Sequence, residues 1–226
     1  MRLASFSVKG TTHVGVVDGT VVVSLGRASA GDPRFRTMLD LVLAGPAALA
    51  DVRDLAESHP TDAAHDVEDV TLLAPLAVPP RVHGRPATVV AAGPGAPVAP
   101  AADGDLRVGI GGVVGVGPGA RLFGATIVGG AQGPVLVTAD ELGPALEPAV
   151  RLAVRVNGVT RCRTAVPGVL DELERRLDVT RPHQPGALVV LDLPTPAEPD
   201  ARPLRDGDEV EIEVAGLGLL RNRIRL

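Results

Sequence analysis

Between Glu209 and Val214 the chain reads EVEIEV, and the alternation has no exception. Val210, Ile212 and Val214 fall on one side, and Glu209, Glu211 and Glu213 on the other. Successive side chains of a strand point to opposite faces, so this period of two describes a strand with one face in a core and one in water. A second apolar run, LGLLRNRIRL, follows and ends the chain. A protein with such an end is built on sheets, and the rest of the sequence carries the same signal in shorter pieces.

The first segment reads as a β-meander. LASFSV leads through Lys9–Gly10 to HVGVVDGTVVVSL, inside which Asp18–Gly19 between valines is a two-residue hairpin signal. Helices follow. FRTMLDLVLAG holds Phe35, Met38, Leu39, Leu41, Val42 and Leu43 and stops at Gly45, and Pro46 suits the first turn of a second helix over 46–57. VTLLAPLAVPPRV is expected as an extended strand closed by Pro79–Pro80. Beyond it come a turn at Gly93–Pro94–Gly95, a strand DLRVGIGGVVGVG, a strand RLFGATIVGG, and TADE (Thr138–Glu141), which fits a capping box. AVRLAVRVNG alternates up to an Asn157–Gly158 turn. VPGVLDELERRLD is an amphipathic helix with Val169, Leu170, Leu173 and Leu177 on one stripe, and GALVVLDLP is a buried strand. The fold class is α+β and β-rich.

Bulk properties exclude several classes of function. The net charge is −5 with no basic block, and the chain has no Trp or Tyr and three Phe, which disfavours nucleic-acid binding by a basic patch or a stacking platform. No apolar run approaches the roughly 18 residues of a membrane span. The opening MRLASFSVKG lacks a signal-peptide core, and the one cysteine, Cys162, makes no internal disulfide, so the expected compartment is the cytoplasm. Cys162 reads as structural or idle.

One stretch carries chemistry on its face. In ADGDLRVGIGG, Asp103 and Asp105 sit two apart at the head of a Val/Ile/Gly strand, where i and i+2 share a face. Two carboxylates so placed either hold a hard cation such as Mg²⁺ or are solvated groups beside a turn glycine.

The order of the pieces resembles the fumarylacetoacetate hydrolase family. LRDGDEVEIEVAGLGLLRNRIRL is similar to that family's closing hairpin, and GPVLVTADEL followed by LAVRVNG to its middle signature. PLAVPPRV, GPGAPVAP and the leading GVVDGTVVVSL resemble further segments. The resemblance implies a roll of mixed β-sheets with a small N-terminal β/α domain (1–72, then 73–226), usually a homodimer. Members cleave, decarboxylate or isomerise acyl-ketones and oxo-acids, with a divalent cation, usually Mg²⁺, polarising the substrate carbonyl. Its ligands are a Glu-x-Glu pair and an Asp, and a His on a lid helix activates water.

Matched residue by residue, much of that equipment is replaced. Asp103 and Asp105 fall on the two glutamates, each reaching roughly 1.5 Å less far. Gly129 and Gly130 stand where the family has Asn and Asp, and with Gln132 they mark the substrate pocket. The lid helix has no counterpart, because Pro80 runs through RVHGRPATVV into the next turn. Arg85 falls on the family's active-site Lys, as a surface charge or as a carboxylate or enolate clamp. His83 is the one nearby imidazole, a loop histidine or a replacement acid/base. The family's TGTP substrate loop reads Leu191–Asp192–Leu193–Pro194, without its threonine hydroxyls, and Asp192 there is a strand-end cap or a pocket carboxylate with a raised pKa. The losses cluster on independent segments near one pocket, while strands and core glycines persist.

These departures set the expectations: no required cofactor, with Asp103 and Asp105 as a weak or vestigial Mg²⁺ site. Function is expected as cyclase, isomerase or dehydratase chemistry on an oxo-acid or polyketide-like small molecule in a biosynthetic pathway, using His83, Arg85 and Asp192. The alternatives are a non-catalytic scaffold paired with a family relative, and a residual Mg²⁺-dependent hydrolase or decarboxylase.

Overall fold

A computed structural model describes residues 1–84, 92–101, 104–117, 121–179, 184–196 and 202–226. The valine-rich runs split by Lys9–Gly10 and Asp18–Gly19 form β1 (Arg2–Val8), β2 (Thr11–Asp18) and β3 (Val21–Ser24), each antiparallel to the one before. The short α1 (Leu25–Ala28) leads to α2 (Met38–Ala44) and α3 (Pro46–Glu57), then β4 (Ala64–Asp66) and β5 (Thr71–Leu72). α2 begins three residues later than Phe35 because Thr37 caps it: its Oγ1 accepts from the Asp40 backbone N–H at 3.1 Å. Phe35 sits in a preceding 3₁₀ turn and is still buried.

Later strands complete two sheets. They are β6 (Val82–His83), β7 (Pro97–Val98), β8 (Gly109–Val114), β9 (Leu122–Val128) and β10 (Leu136–Thr138). After α4 (Ala139–Leu146) come β11 (Ala149–Val156), β12 (Val159–Pro167), α5 (Val169–Val179), β13 (Leu188–Asp192), β14 (Glu209–Val214) and β15 (Gly218–Ile224). One sheet runs β4-β3-β2-β1-β10-β9-β8-β13-β6, with β5 also on β1, and the other runs β12-β11-β14-β15-β7. The N-terminal meander therefore shares a sheet with strands from the rest of the chain, through Arg2 and Leu3 paired with Val137 and Leu136.

Two large apolar clusters hold this together. Leu3, Val14, Phe35, Met38, Leu41 and Val52 pack with Val113, Phe123, Leu188 and Val190 on one face of the long sheet. Ile110, Ile127 and Val137 meet Leu152, Val154, Ile212 and Leu220 in the layer between the sheets. Val210, Ile212 and Val214 point inward as their alternation requires, and Arg155 and Arg221 pair with the outward glutamates of β14. Asn222 turns inward among them and donates from Nδ2 to the Gly93 and Ala96 carbonyls, strapping the GPG turn to β15. The turn before β14 is tied by Asp208, whose carboxylate takes hydrogen bonds from Arg202, the Arg205 backbone N–H and Asn157. The Arg202 guanidinium holds that carboxyl well below the usual carboxylate range.

Three local expectations are corrected. VTLLAPLAVPPRV is not one strand: it pairs only at Thr71–Leu72 and Val82–His83, because Pro75, Pro79 and Pro80 supply no N–H to a ladder. The glycine-rich strand begins at Gly109, not near Asp105. Thr138 does precede α4, but it makes no capping box, since its Oγ1 lies 2.6 Å from the Met1 amino group, which also pairs with Glu141 at 2.7 Å. Among the described residues no helix is long and apolar enough to cross a membrane.

Candidate functional site

β9 ends in a tight reversal. The Gly129 N–H donates to the Ala131 carbonyl at 2.9 Å, the Gly133 N–H to the Ile127 carbonyl at 2.8 Å, and Val128 bridges to Gln132. Gly130 takes φ +82°, a conformation an aspartate would hold under strain. A Cβ on Gly129 would land inside the van der Waals envelope of Ile212 Cδ1, and one on Gly130 would lie 3.1 Å from Val98 Cβ. Ile212 on β14 and Val98 on β7 are both core residues. The second sheet thus closes over the reversal with aliphatic side chains.

Gln132 is fully buried, and its amide is committed to the backbone. Nε2 donates to the Leu76 carbonyl at 2.5 Å, and Oε1 accepts from the Leu76 N–H at 3.2 Å. Its own N–H donates to the Ala92 carbonyl at 2.9 Å. The side chain copies a ladder rung and clasps the irregular segment after β5 onto β9. In this arrangement it serves as a structural clasp, whereas the resemblance sets it beside the substrate pocket.

The strand expected to carry the paired carboxylates does not extend to Asp105. Asp103 lies outside the described residues. Asp105 follows a turn in which the Gly104 N–H reaches the Ala101 carbonyl and the Ala101 N–H reaches the Asp105 carbonyl, and it lies in no strand. Its carboxylate pairs with Arg161 at 2.7 Å. Arg161 is nearly buried, with a side chain 12% exposed, and also donates to the Arg202 carbonyl. Composition could not single it out among the chain's arginines; its position beside Cys162, which faces the core from β12, is the one local signal. Among the described residues no group of three His, Cys, Asp or Glu side chains is placed to hold a metal ion. The described residues do not fit a divalent cation: the donor is absent at Gly129–Gly130, its space is filled, and Asp105 has a guanidinium for counter-charge.

His83 and Asp192 are both present but apart. β6 runs parallel to β13 with His83 opposite Val189, and Gly84 then turns at φ +94° against the Val190 carbonyl. Asp192 lies three residues beyond Val189, roughly 10 Å along the strand. Paired residues share a face and an odd offset reverses it, so the two side chains leave the sheet on opposite sides. The His83 Nε2 is shielded from solvent, whereas Asp192 is exposed at the strand end, without the apolar enclosure that a buried acid requires. Arg85 lies outside the described residues. A cleft of about 700 Å³ opens elsewhere, between β2, β3, α3 and α4, with Arg2, Asp18, Arg53, Glu57 and Glu141 on its walls; His83, Asp105, Gln132 and Asp192 do not line it.

The similarities to known proteins agree with this architecture. Residues 128–225 match the fumarylacetoacetate hydrolase C-terminal domain, and residues 1–75 match the Rv2993c-like N-terminal domain. No curated protein sequence matches the chain. Among solved structures, maleylpyruvate hydrolase from Sphingobium sp. SYK-6, in complex with manganese(II) and pyruvate, superposes with a TM-score of 0.73 at 19% identity, covering 99% of this chain and 98% of that one. The fumarylacetoacetate hydrolase of Exiguobacterium antarcticum gives 0.72 at 20% identity, covering 100% and 99%. The 5-carboxymethyl-2-hydroxymuconate delta-isomerase of Mycobacterium smegmatis gives 0.62 at 23% identity, covering 99% of each. These structural likenesses speak for the fold, and the matched domains at both ends of the chain place the protein in the fumarylacetoacetate hydrolase family.

Proposed function

We propose that this chain is a family member that works without a resident divalent cation, on an oxo-acid or polyketide-like molecule, in isomerase, cyclase or dehydratase-type chemistry. The observation that carries the cation-independent part is Gly130, where the family resemblance reads the ligating aspartate: it brings no donor, and a Cβ there would lie 3.1 Å from Cβ of the core residue Val98. Arg161 pairs with Asp105, one of the two carboxylates that the resemblance matches to metal ligands. His83, with its ring nitrogen out of water at the edge of the long sheet, is the candidate proton-transfer group. The names of structural relatives include an isomerase, which supports the reaction class by analogy of fold alone.

Calorimetric titration with Mn²⁺ tests the central point. We expect no saturable heat at millimolar Mn²⁺, with or without pyruvate, and no change in melting temperature on adding EDTA. A stoichiometric site of micromolar affinity would remove the proposal in favour of the metal-dependent hydrolase. A second reading, a non-catalytic partner of a complete family member, is favoured by the separation of His83 from Asp192 on opposite faces. It expects no oxo-acid to shift the melting temperature, and a purified full-length relative to co-elute with this chain.

A further inference from the structure

Phe6 on β1 is fully buried and carries two imidazoles. His13, its direct cross-strand partner on β2, stacks on it with ring centroids 5.5 Å apart and planes at 28°. His65 on β4 meets its edge at 6.1 Å and 60°. In a flat sheet β4 would stand three strands from β1, roughly 14 Å away. The contact of His65 with Phe6 therefore requires the meander to be rolled up, and β5 seals the other edge of β1 through Phe6–Leu72 and Ser7–Thr71.

Inside this roll the imidazoles are poorly provided for. His13 Nδ1 lies 3.2 Å from Oγ of Ser24, itself fully buried. The Nε2 atoms of His13 and His65 are both shielded from water, and neither has a hydrogen-bond partner among the described residues. A neutral ring tolerates one such idle nitrogen; an imidazolium must donate from both, and a buried unpaired cationic donor is far more costly. The facing charges offer no relief. Arg27 of α1 approaches from one side, held to the Asp62 carbonyl at 3.3 Å, and His65 faces from β4. Asp66, next to His65, is exposed, and no ion pair to either imidazole exists among the described residues. Burial first, then Arg27 and His65, push the His13 pKa below its ordinary value.

The roll is joined to the rest of the molecule by the segment after β5. The Leu73 N–H donates to the Ser5 carbonyl at 2.8 Å, and Ser5 Oγ to the Pro75 carbonyl at 2.8 Å. The same segment then enters the Gln132 clasp at Leu76 and runs on to His83. We propose that His13, stacked on Phe6 and facing His65, is an acid-sensitive latch: protonating it opens the rolled meander at β4 and β5 and loosens the segment that leads to His83. The sign follows from linkage. The closed form binds a proton at His13 less readily than the open one. Its stabilisation is therefore complete above the ordinary histidine value near 6.5 and is lost as pH falls below it.

Hydrogen exchange by mass spectrometry on the intact protein, at pH 7.5 and 5.5 and corrected for intrinsic rates, tests the latch. Peptides spanning 64–76 should lose protection by about tenfold or more at the lower pH, while β8, β9 and β13 keep theirs. The double variant His13→Gln/His65→Gln should lose that difference. An NMR titration of the wild-type imidazoles decides the matter even where the variant fails to fold, with His13 expected to titrate below 6.5. Unchanged protection of 64–76, a uniform loss across both sheets, or a His13 midpoint at or above 6.5 would each overturn the proposal.

Discussion

Gly129→Asp is expected to unfold more readily than the parent and to gain no affinity for Mn²⁺. The new Cβ collides with Ile212 Cδ1, so this core side chain has to shift within its cluster to make room. Overpacking of that kind costs about 1–3 kcal/mol. The carboxylate would also enter an apolar layer with no described partner, adding a desolvation cost of several kcal/mol. A combined loss of about 4 kcal/mol corresponds to a fall in melting temperature of roughly 8–16 °C for a chain of this size. Thermal melts followed by circular dichroism measure it, and a melting temperature within about two degrees of the parent would contradict the packing described here. Trimming the obstacle in the double variant Gly129→Asp/Ile212→Ala should recover part of the overpacking term but not the desolvation term. The two substitutions are in contact, so their effects should not add.

Gln132→Ala should be nearly as damaging for a different reason. Leu76 loses the partners of both its N–H and its carbonyl in a place that water does not reach, since Leu76 and Gln132 are 2% and 0% exposed. Each orphaned buried group costs about 1–3 kcal/mol, so the substitution should cost about 2–5 kcal/mol in urea melts. Gln132→Glu separates this from a simple cavity effect. It keeps the volume but sets a carboxylate oxygen against the Leu76 carbonyl, and the loss should grow as pH rises through the carboxylate's titration. A Gln132→Ala variant as stable as the parent would return Gln132 to the list of ligand-facing groups.

Much of the fold was legible in the residues. Asp18–Gly19 and Asn157–Gly158 mark turns where strands do reverse, Pro46 does start α3, and Glu209–Val214 does bury every second residue. Local rules suffice there because turn chemistry and a period of two are properties of neighbouring residues. They failed at Leu73–Arg81 and at Leu106–Val108, where hydrophobic content suggested a strand but prolines and a turn at Gly104 removed the pairing. The capping box at Thr138 failed for a long-range reason, since a group 137 residues away reaches the hydroxyl first.

The candidate site was legible mainly as loss. That Gly129 and Gly130 bring no ligand is visible in their names. That Ile212 and Val98 fill the space, that Arg161 answers the charge of Asp105, and that Gln132 serves the backbone of Leu76 are contacts between residues 32 to 83 positions apart. The order of strands, the hairpin turns and the β-rich class were determined by the sequence alone, because each rests on the conformational preferences and polarity of adjacent residues. Which side chains share a site, and that His83 and Asp192 do not, was decided only when two sheets packed together, because packing is a property of surfaces assembled from distant parts of the chain.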